Sequence, residues 1–587
     1  DRLAVKTGNH SVTYNELNRA ANRIARAILT SQGQGSEPIA LLFENGIDVI
    51  AAIFGVLKTG KFFVILDPSL PSSRLAYLLN DSQARLAITN THNLDLALIR
   101  SSHSGPVLNV DEITESFSAD NVGLRLTPDS LVTIVYTSGS TGQPRGVAQN
   151  YLVNMHNALL DDTLFDDRLS LCHSLSFGSG CSDLLSSLLN GAALLPFDLK
   201  SEGIRRFMDW LNEERITVCH LAPAVFRQVA DLLSKPDGLS HLRMIRLSGA
   251  PVTKVEFDLF KKSFPQKTLL RIHMGTTETK RIALAVVDHT FVFPQEGVPV
   301  GYIAPGKSVL LLNPDGHQVK PGEVGEIAVK SRYLSVGYWR QPELTKARFL
   351  ADSTGGEEQI YLTGDLGRMQ PDGMLIHVGR RDLMVKIRGY RVELPEIEKA
   401  LLSDPGVKDA GVTAWDRHVG ADYLVAYVVR GNSPAVTVDG LRKFLKEQLP
   451  DYMIPAAFMF LDSLPLTNGK LDRKALPRTD GPRPDIKQAY VPAQNKVEQE
   501  LVEIWQAVLD VRPIGIHDDF FDLGGHSLLA TRIITKIHGV FRVEVSMRSF
   551  LDAPTVAGLA GIVESSLESR KETESNCGAL GAGEETG

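Results

Sequence analysis

One segment rich in glycine and hydroxyl side chains, residues 136–147, constrains the fold more than any other part of the sequence. It reads YTSGSTGQPRGV. The preceding residues 131–135 are apolar and β-branched, which predicts a buried strand, and residues 151–160 predict a helix. The sequence therefore places a flexible loop at the end of a strand.

The composition of this loop suits the binding of an anion. Gly139 and Gly142 allow the backbone to turn its N–H groups toward one ligand, and Arg145 adds a fixed positive charge. Hydroxyl donors are supplied by Thr137, Ser138, Ser140 and Thr141. The spacing differs from G-x-x-x-x-G-K-[ST], so an ordinary P-loop is excluded. For SGSTG taken alone, a plain surface turn is the alternative.

Helices and strands alternate on the N-terminal side of the loop. Thr13 and Glu16 form a capping-box pattern before a helical segment, residues 17–29. Residues 39–43, 49–58 and 62–66 then predict strand, helix and strand. The alternation continues to about residue 380, which indicates an α/β core of parallel sheets covered by helices.

Composition bounds the class of protein. A chain of 587 residues is long enough for several domains. Its net charge of -7, with both signs mixed, argues against nucleic acid or an anionic membrane as the main partner. The sequence has no apolar run of ~18 residues and starts with no signal-peptide pattern, so we expect a cytoplasmic protein. The four cysteines lack metal-ligand spacing.

Four further segments extend the loop pattern. They are residues 248–251 (SGAP), 273–279 (HMGTTET), 361–373 (YLTGDLGRMQPDG) and 379–398 (GRRDLMVKIRGYRVELPEIE). With these segments the chain resembles the acyl-adenylate-forming superfamily, in particular the adenylation domains of nonribosomal peptide synthetases. That family usually carries lysine at Arg145, a change of shape rather than of charge.

The resemblance implies a set of ATP contacts. The loop from Thr137 to Arg145 would hold the β and γ phosphates, and Glu278 would help to bind Mg²⁺. Asp365 would accept both ribose hydroxyls, and Met274 replaces the usual aromatic neighbour of adenine. The nucleotide-binding positions implied are Gly249, Ala250, Met274, Gly275, Thr276, Asp365 and Arg380.

Residues further along the chain carry the rest of the resemblance. Asp382 matches the hinge of the family, and Lys470 matches its catalytic lysine, which would offset charge in the transition state. Val497, Leu501, Ile504, Trp505 and Val508 share one helical face. Residues 518–533 (DDFFDLGGHSLLATRI) resemble a carrier domain in which Ser527 bears 4'-phosphopantetheine. A phosphopantetheinyl transferase is the partner implied.

The domain organisation follows from these matches. We expect an adenylation core of β-sheets flanked by helices at 1–381 and a small, mobile α+β subdomain at 382–478. A linker at 479–492, an all-α four-helix carrier domain at 493–566 and a disordered tail at 567–587 follow. The chain begins abruptly within the adenylation pattern, so we expect a piece of a longer polypeptide with neighbouring synthetase domains.

The expected acyl pocket departs from the family pattern. Amino-acid-activating members usually have aspartate after the phenylalanine of residues 177–192 (FGSGCSDLLSSLLNGA), where its carboxylate pairs with the α-ammonium; this chain has Gly178. Asp183 falls five positions later and is out of register. The pocket positions are Gly178, Ser179, Ser182, His220, Arg246, Ser248, His273, Arg281 and Ile282. An ordinary α-amino acid would leave its ammonium without a main partner.

Two interpretations of the pocket arginines stay open. Either they pair with acids of the protein, or the substrate carries a second anionic or strongly polar group, with Arg246 as its bidentate partner. The function predicted is ATP-dependent activation of a carboxylic acid, such as a keto, hydroxy or dicarboxylic acid, and its transfer to the carrier thiol. The alternatives are a module that activates an amino acid through a non-standard pocket, release onto free coenzyme A, or a non-catalytic carrier scaffold.

Overall fold

The computed structural model describes most of the chain. It leaves out residues 97–104, 140–142, 234–235, 295–297, 353–354, 382, 388, 418–420, 432–435, 468–469, 474, 478–489, 510, 522, 524, 526 and 581–587. Contacts divide the chain into two compact units. The first comprises Asp1–Asp198, Met208–Ala400 and Lys446–Tyr452, and the second comprises Leu199–Phe207, Leu401–Leu445 and Met453–Gly587.

The first unit is built on two large β-sheets. Its strands are β1 (Leu3–Thr7), β2 (His10–Thr13), β3 (Pro38–Leu42), β4 (Phe62–Leu66), β5 (Leu86–Thr89), β6 (Val107–Asn109), β7 (Leu131–Thr137), β8 (Arg145–Asn150), β9 (Arg168–Leu171), β10 (Ala193–Pro196), β11 (Val218–Leu221), β12 (Met244–Leu247), β13 (Leu269–Thr276), β14 (Lys280–Val287), β15 (Val298–Ile303), β16 (Ser308–Leu312), β17 (Gly325–Ser331), β18 (Gly337–Tyr338), β19 (Phe349–Ala351), β20 (Gln359–Met369), β21 (Leu375–Arg380), β22 (Met384–Ile387) and β23 (Tyr390–Glu393).

Helices lie between many of these strands. Up to residue 402 they are α1 (Tyr14–Gln32), α2 (Ile47–Lys58), α3 (Ser72–Ser82), α4 (Thr91–Leu94), α5 (Tyr151–Leu159), α6 (Gly178–Leu189), α7 (Leu199–Glu213), α8 (Pro223–Leu232), α9 (Lys254–Ser263), α10 (Pro342–Arg348) and α11 (Leu394–Leu402). Short 3₁₀ turns occupy Val110–Glu112, Pro236–Leu239 and Asp451–Met453. The capping box before α1 is confirmed, because Thr13 N donates to Glu16 Oε2 at 2.8 Å.

Only part of the first unit consists of parallel strands that alternate with helices, as the sequence predicted. One sheet runs β18-β8-β7-β4-β3-β5-β6, with β3 to β6 parallel. The other runs β16-β17-β20-β21-β15-β14-β13-β12-β11-β9-β10-β1-β2, with β19 beside β20. Alternation was predicted to about residue 380, but from β13 onward the neighbouring strands of this sheet pair antiparallel. The loop after β7 likewise returns as strand β8 before α5 begins.

Strand register places the polar residues of the acyl pocket in one row. The neighbouring parallel strands β11, β12 and β13 align His220 with Arg246 and Arg246 with Arg271. Side chains two residues apart along a strand share a face, so His273 lies on the same face of β13 as Arg271. The row is therefore set by the pairing of three consecutive strands.

The second unit contains a small sheet and a helical region. Its strands are β24 (Val407–Arg417), β25 (Ala421–Arg430), β26 (Ala457–Phe460), β27 (Leu466–Thr467) and β28 (Lys470–Leu471). The remaining helices are α12 (Val438–Lys446), α13 (Lys496–Leu509), α14 (Ser527–Phe541), α15 (Met547–Asp552) and α16 (Val556–Leu580). The predicted face of α13 packs inward, and Trp505 is fully buried with its ring 5.5 Å from that of Phe520.

The helices bear on two expectations from the sequence, a disordered C-terminal tail and the absence of a membrane-spanning segment. α16 continues to Leu580, where the sequence predicted a disordered tail from residue 567. Its glutamate, lysine and arginine residues are good helix formers, which explains the longer helix. Within the part of the chain that the structure describes, no helix is both long enough and apolar enough to cross a membrane.

Candidate active site

A cavity of about 240 Å³ lies inside the first unit, where β11, β12 and β13 end. Ligands commonly bind where parallel strands end in α/β sheets. We call the part lined by residues 249–251, Asp365 and Arg380 the nucleotide end. The part lined by the first turns of α6 together with His220, Arg281 and their neighbours is the acyl end.

Most of the predicted site residues that the structure describes line this cavity. They are Thr137, Ser138, Gly178, Ser179, Ser182, His220, Ser248, Gly249, Ala250, His273, Met274, Gly275, Thr276, Arg281, Asp365 and Arg380. Other described residues from the prediction do not belong to the lining: Gly139, Arg145, Arg246, Glu278 and Ile282. Ile282 lies in β14, and its side chain is fully buried in the hydrophobic core.

Asp365 is the central carboxylate of the nucleotide end. It lies in β20, directly opposite Arg380 in β21, and Arg380 Nη1 approaches its Oδ1 to 2.6 Å. His377 Nε2 lies 3.1 Å from the same oxygen. Burial raises the pKa of Asp365, but His377 and Arg380 outweigh burial and lower the pKa to about 2. The carboxylate is therefore ionised and can accept two hydroxyl hydrogen bonds.

Glu278, the expected Mg²⁺ ligand, is fully buried between two donors. Tyr338 Oη donates to its Oε1 at 2.9 Å, and Arg391 Nη1 lies 3.2 Å from Oε1 and 3.3 Å from Oε2. Burial raises the pKa of Glu278, whereas Arg391 and Arg145 lower it, with a net result of about 2. An ionised carboxylate fits a hard cation, provided that Arg391 gives up one of the two oxygens.

The start of the glycine-rich loop is held by residues around β23 and α11. Ser138 Oγ donates to the carbonyl oxygen of Arg391 at 2.7 Å, and Gly139 N donates to Glu396 Oε2 at 3.2 Å. Glu396 also pairs with Arg74, Nη1 to Oε1, at 2.5 Å. Thr137 Oγ1 is buried without a hydrogen-bond partner among the described atoms. Thr137 is thus the hydroxyl in this part of the loop that stays available to a ligand.

Arg145 differs from the expectation of a phosphate contact. Its Nη2 lies 3.5 Å from Glu393 Oε1, and its guanidinium carbon lies 5.1 Å from the ring centre of Tyr338. The side chain is 5% exposed. A buried cation needs a counter-charge, so Glu393 and the Tyr338 ring compensate Arg145 in this structure. Contact with a phosphate would require Arg145 to leave Glu393.

The expected adenine wall is shaped by a close approach of two glycines. Gly249 has φ +86°, and a Cβ atom there would lie 3.0 Å from Gly389 Cα. No larger residue fits between these two backbone segments. Ala250 and Met274, which is 7% exposed, also belong to the cavity lining. The close approach of the two backbone segments therefore restricts position 249 to glycine.

Gly178 begins α6 at the acyl end and leaves open space. A Cβ atom at Gly178 would meet only Thr277, with Oγ1 at 3.5 Å, which is an ordinary contact. At Gly180, by contrast, a Cβ atom would lie 2.4 Å from the carbonyl oxygen of Ser174. Packing thus requires glycine at position 180 but not at 178, so Gly178 enlarges the cavity without being needed by the fold.

Asp183, His220 and Ser248 form a hydrogen-bonded chain at the acyl end. His220 Nδ1 lies 2.8 Å from both oxygens of Asp183, and Nε2 lies 2.6 Å from Ser248 Oγ. Burial lowers the pKa of His220 to about 4, although Asp183 opposes the shift. His220 is therefore neutral, donates from Nδ1 to Asp183 and accepts from Ser248. His173 Nδ1, 3.6 Å from Asp183, faces the same carboxylate.

The arginines expected in the acyl pocket have acidic partners in the protein. Arg246 is fully buried, and its Nη2 lies 2.7 Å from Asp161 Oδ1 and from Asp162 Oδ1. Arg271 Nη1 pairs with the same two acids, and Arg281 Nη2 lies 2.5 Å from Asp161 Oδ2. These contacts favour pairing within the protein, and Arg246 does not belong to the described lining of the cavity, so it is not positioned as a substrate ligand.

Several predicted residues fall on parts of the chain that cannot be placed at the site. Ser140, Thr141, Gly142 and Asp382 lie outside the described residues. Lys470 begins β28 and Ser527 begins α14, but only their backbone is described. Ser527 therefore occupies the first turn of a helix, as the resemblance to a carrier domain implies.

Sequence reasoning missed several residues that line the cavity. Arg271 could have been found from the strand period, since it lies two residues before His273. His377 lies between two of the motif segments and Arg391 lies inside the segment at 379–398, but nothing in their spacing indicated contact with Asp365 or Glu278. Lys280 directly follows the segment at 273–279, lies in a left-handed turn and belongs to the cavity lining.

Comparisons with known sequences agree with this geometry. The AMP-binding enzyme family matches residues 1–339, its C-terminal domain matches 396–470, and the phosphopantetheine attachment site matches 499–563. A subunit of the linear gramicidin synthase of Brevibacillus parabrevis is 35% identical over 97% of this chain and 7% of its own length. Surfactin synthase subunit 3 of Bacillus subtilis (strain 168) is 33% identical over 96% of this chain and 44% of its own length.

Solved structures show the same fold. A nonribosomal peptide synthetase protein containing adenylation and PCP domains, bound to a vinylsulfonamide inhibitor, superposes with a TM-score of 0.82. It is 23% identical, and the match covers 96% of this chain and 94% of the other. A four-domain nonribosomal peptide synthetase bound to AMP and glycine is 28% identical, with a TM-score of 0.58 over 96% of this chain and 42% of the other.

The chain belongs to the AMP-binding enzyme family, whose members are AMP-forming ligases. More particularly, it joins a nonribosomal peptide synthetase adenylation domain to a phosphopantetheine carrier domain. Adenylation domains use ATP and Mg²⁺, and the carrier domain bears 4'-phosphopantetheine. The chain spans less than half the length of the gramicidin and surfactin synthase proteins that it matches.

Proposed function

We propose that this chain activates a carboxylic acid that lacks an α-ammonium group, such as a keto, hydroxy or dicarboxylic acid, and loads it on its own carrier domain. The observation that carries the proposal concerns the acids of the cavity. Among the described residues that line it, the carboxylates are Asp161, Asp183 and Asp365. Each is already engaged, by arginines, by histidines, or by Arg380 with His377.

An α-ammonium at the acyl end would therefore lack a free carboxylate. Removing a charge from water without a partner costs several kcal/mol. Gly178 stands where the family usually supplies that partner, and the space beside it is open. A neutral or anionic α-substituent escapes this cost, which is why the proposal excludes ordinary α-amino acids.

The residue roles proposed follow the family register. Thr137 and the loop after it bind phosphates, Asp365 and Arg380 orient the ribose, and Glu278 supplies an oxygen ligand to Mg²⁺. Lys470 stabilises charge as the substrate carboxylate attacks the α-phosphorus and pyrophosphate leaves. When bound at Ser527, phosphopantetheine supplies the thiol that accepts the acyl group.

The partners proposed complete the cycle. A phosphopantetheinyl transferase modifies Ser527, and neighbouring synthetase domains receive the loaded acyl group, since the relatives are much longer proteins. A hinge at Asp382 would let the small subdomain move between the two half-reactions.

Pyrophosphate exchange across amino, keto, hydroxy, aryl and dicarboxylic acids tests the proposal. We expect exchange with acids that lack an α-ammonium and weak or no exchange with ordinary α-amino acids. Ser527→Ala should abolish covalent loading and leave exchange unchanged. Unchanged product formation in Ser527→Ala would instead favour transfer to free coenzyme A.

An amino acid remains the second candidate substrate, because one observation favours it. Asp183 lines the acyl end and carries a full negative charge, although its sequence register is wrong and His220 occupies it. The 28%-identical synthetase was solved with glycine bound. Strong exchange with α-amino acids alone, lost in Asp183→Asn, would establish this alternative.

A further inference from the structure

Lys280 is an unpaired cation in the wall of the acyl end. The residue is 6% exposed and lines the cavity. Its Nζ is buried, and among the described atoms it has no hydrogen-bond partner. Ion pairs with described acids engage Arg246, Arg271 and Arg281, but none is formed by Lys280. Buried ammonium groups are rarely left in this condition, because their desolvation is uncompensated.

The backbone of Lys280 is also unusual. Its φ is +55°, in the left-handed region that glycine or asparagine normally occupies. The turn is fixed by Thr279, whose Oγ1 donates to the carbonyl oxygen of Lys280 at 2.9 Å and contacts Thr276 Oγ1 at 3.0 Å. A left-handed non-glycine residue costs about 1 kcal/mol or more and persists only where its surroundings hold it. Such outliers cluster at ligand sites.

The charges around Lys280 leave an excess of positive charge. Three guanidinium groups share the two carboxylates of Asp161 and Asp162. Asp183 adds one negative charge that two histidines contact. His220 and His273 are neutral, since burial lowers the pKa of each. Counting Lys280, the acyl end therefore holds one more positive than negative charge.

The Lys280 ammonium is held at a cost, because it is removed from water without a partner among the described atoms. An anion bound beside it would remove that cost, which a neutral ligand cannot do. The electrostatic field of the acyl end consequently opposes an α-ammonium and favours a second negative charge on the substrate.

We propose that Lys280 determines substrate specificity by binding a second carboxylate of the acid that this domain activates. The inference rests on the proposed function and narrows it from acids without an α-ammonium to dicarboxylic acids. Lys280 takes the role that the sequence had suggested for Arg246, whose guanidinium is engaged by Asp161 and Asp162.

The assignment is tested by comparing two kinds of substrate in two forms of the protein. Succinic, glutaric and isophthalic acids are each compared with their own monoamide in pyrophosphate exchange, first in the unmodified protein and then in Lys280→Met. A hydrogen bond to a charged group corresponds to a difference of about ten-fold or more. We expect at least one diacid to exceed its monoamide by that factor in kcat/KM. Lys280→Met should bring the ratio close to one by raising KM for the diacid.

Two further variants separate recognition from structural roles. Lys280→Arg keeps a cation and should retain part of the preference. Lys307→Met removes another buried lysine, which contacts the carbonyl oxygen of Thr279 and does not belong to the cavity lining among the described residues. It should leave the ratio unchanged. Lys280→Met should also melt at the same or a higher temperature, since an uncompensated charge is removed, whereas a structural lysine would give a lower one.

The outcomes are distinguishable. A ratio near one in the unmodified protein, or a ratio that survives in Lys280→Met, overturns the role of Lys280 while monocarboxylic acids still support exchange. No exchange with any acid lacking an α-ammonium overturns the proposed function, and the inference with it. Loss of exchange in Lys280→Met for diacids and monoamides alike, with lowered melting temperature, also contradicts a specificity role.

Discussion

The two ends of the cavity balance their charges differently. At the nucleotide end, Asp365 pairs with Arg380 at 2.6 Å and Glu278 is held by Arg391. At the acyl end, three arginines compete for two carboxylates, and Lys280 has no partner among the described atoms. Each of these carboxylates of the nucleotide end is therefore paired with an arginine, and Lys386 adds a further positive charge to the wall, which suits a polyanion such as ATP. At the acyl end the arginines must share their carboxylates, so a particular anionic acid would complete the balance of charge there.

The comparison predicts that a substitution at the nucleotide end lowers pyrophosphate exchange by the same factor with every acid substrate. Asp365→Ala removes the proposed acceptor for the ribose hydroxyls and leaves Arg380 without its counter-ion. Because two charge-assisted hydrogen bonds are lost, pyrophosphate exchange should fall roughly 100-fold or more for all acids. Asp372→Ala, an exposed acid in the neighbouring turn, is the control and should behave like the unmodified protein. An effect confined to some acids would show that the two ends are not separable.

Arg246→Met tests whether this arginine of the acyl end stabilises the fold or binds the substrate. It removes a fully buried cation from Asp161 and Asp162 and should lower the free energy of unfolding by ~3 kcal/mol. The ratio of exchange rates among different acids should stay the same, since Arg246 is engaged by the two aspartates and does not belong to the described cavity lining. Urea unfolding and the acid panel measure both. Arg243→Met, whose partly exposed side chain pairs with Asp167, should cost less, and a selective change in acid preference would restore Arg246 as a substrate ligand.

Lowering the pH should affect the stability of the two ends differently. The pKa of His220 lies near 4 in the folded protein, below its ordinary value of 6.5, so its contribution to stability is present above pH 6.5 and is lost as the pH falls toward 4. The pKa values of Asp365 and Glu278 are lowered to about 2, so their contributions persist until the pH falls below about 4. Between pH 7 and 5 the acyl end should therefore lose about 2 kcal/mol while the nucleotide end is unaffected.

Hydrogen exchange at the two ends measures this difference. Amides of β11 to β13 should exchange faster at pH 5, after correction for intrinsic rates, than those of β20 and β21. His220→Gln should remove the share of this pH dependence that comes from His220, while His273, whose pKa burial also lowers, keeps its own share. Equal protection of both ends at pH 5 would mean that Asp183 holds a protonated His220 in the folded state.

The nucleotide end could be predicted from sequence because its residues lie in contiguous motifs. Asp365 and Arg380 were both identified, and the structure places them opposite each other in neighbouring strands. The contacts of His377 with Asp365 and of Arg391 with Glu278 depend on strand pairing and packing that no local pattern specifies. Arg145 was assigned by register alone, and only the structure shows that Glu393 engages it.

The acyl end was less predictable for a physical reason. Gly178 was recognised as a departure from the family, but the acids Asp161 and Asp162 lie in a loop far from β12 in sequence. The orientation of Lys280 depends on a left-handed turn whose sequence, Thr-Glu-Thr-Lys, contains no glycine to indicate it. In the fold, the capping box and the first strands were correct, whereas the antiparallel strands after β13 have the same apolar alternation as parallel ones and were not distinguished.

Gly178→Asp gives the acyl end the aspartate that amino-acid-activating members of the family usually carry at this position. The site has room for a side chain, because the nearest atom to a Cβ added at this position would be Thr277 Oγ1 at 3.5 Å. A carboxylate there would supply the missing partner of an α-ammonium, and one charge-assisted contact corresponds to about ten-fold. We expect exchange with α-amino acids to rise by about that factor and exchange with keto acids to fall. Gly178→Asn, which has the same shape without the charge, should show neither change; an equal gain in Asn would mean that shape rather than charge excludes amino acids.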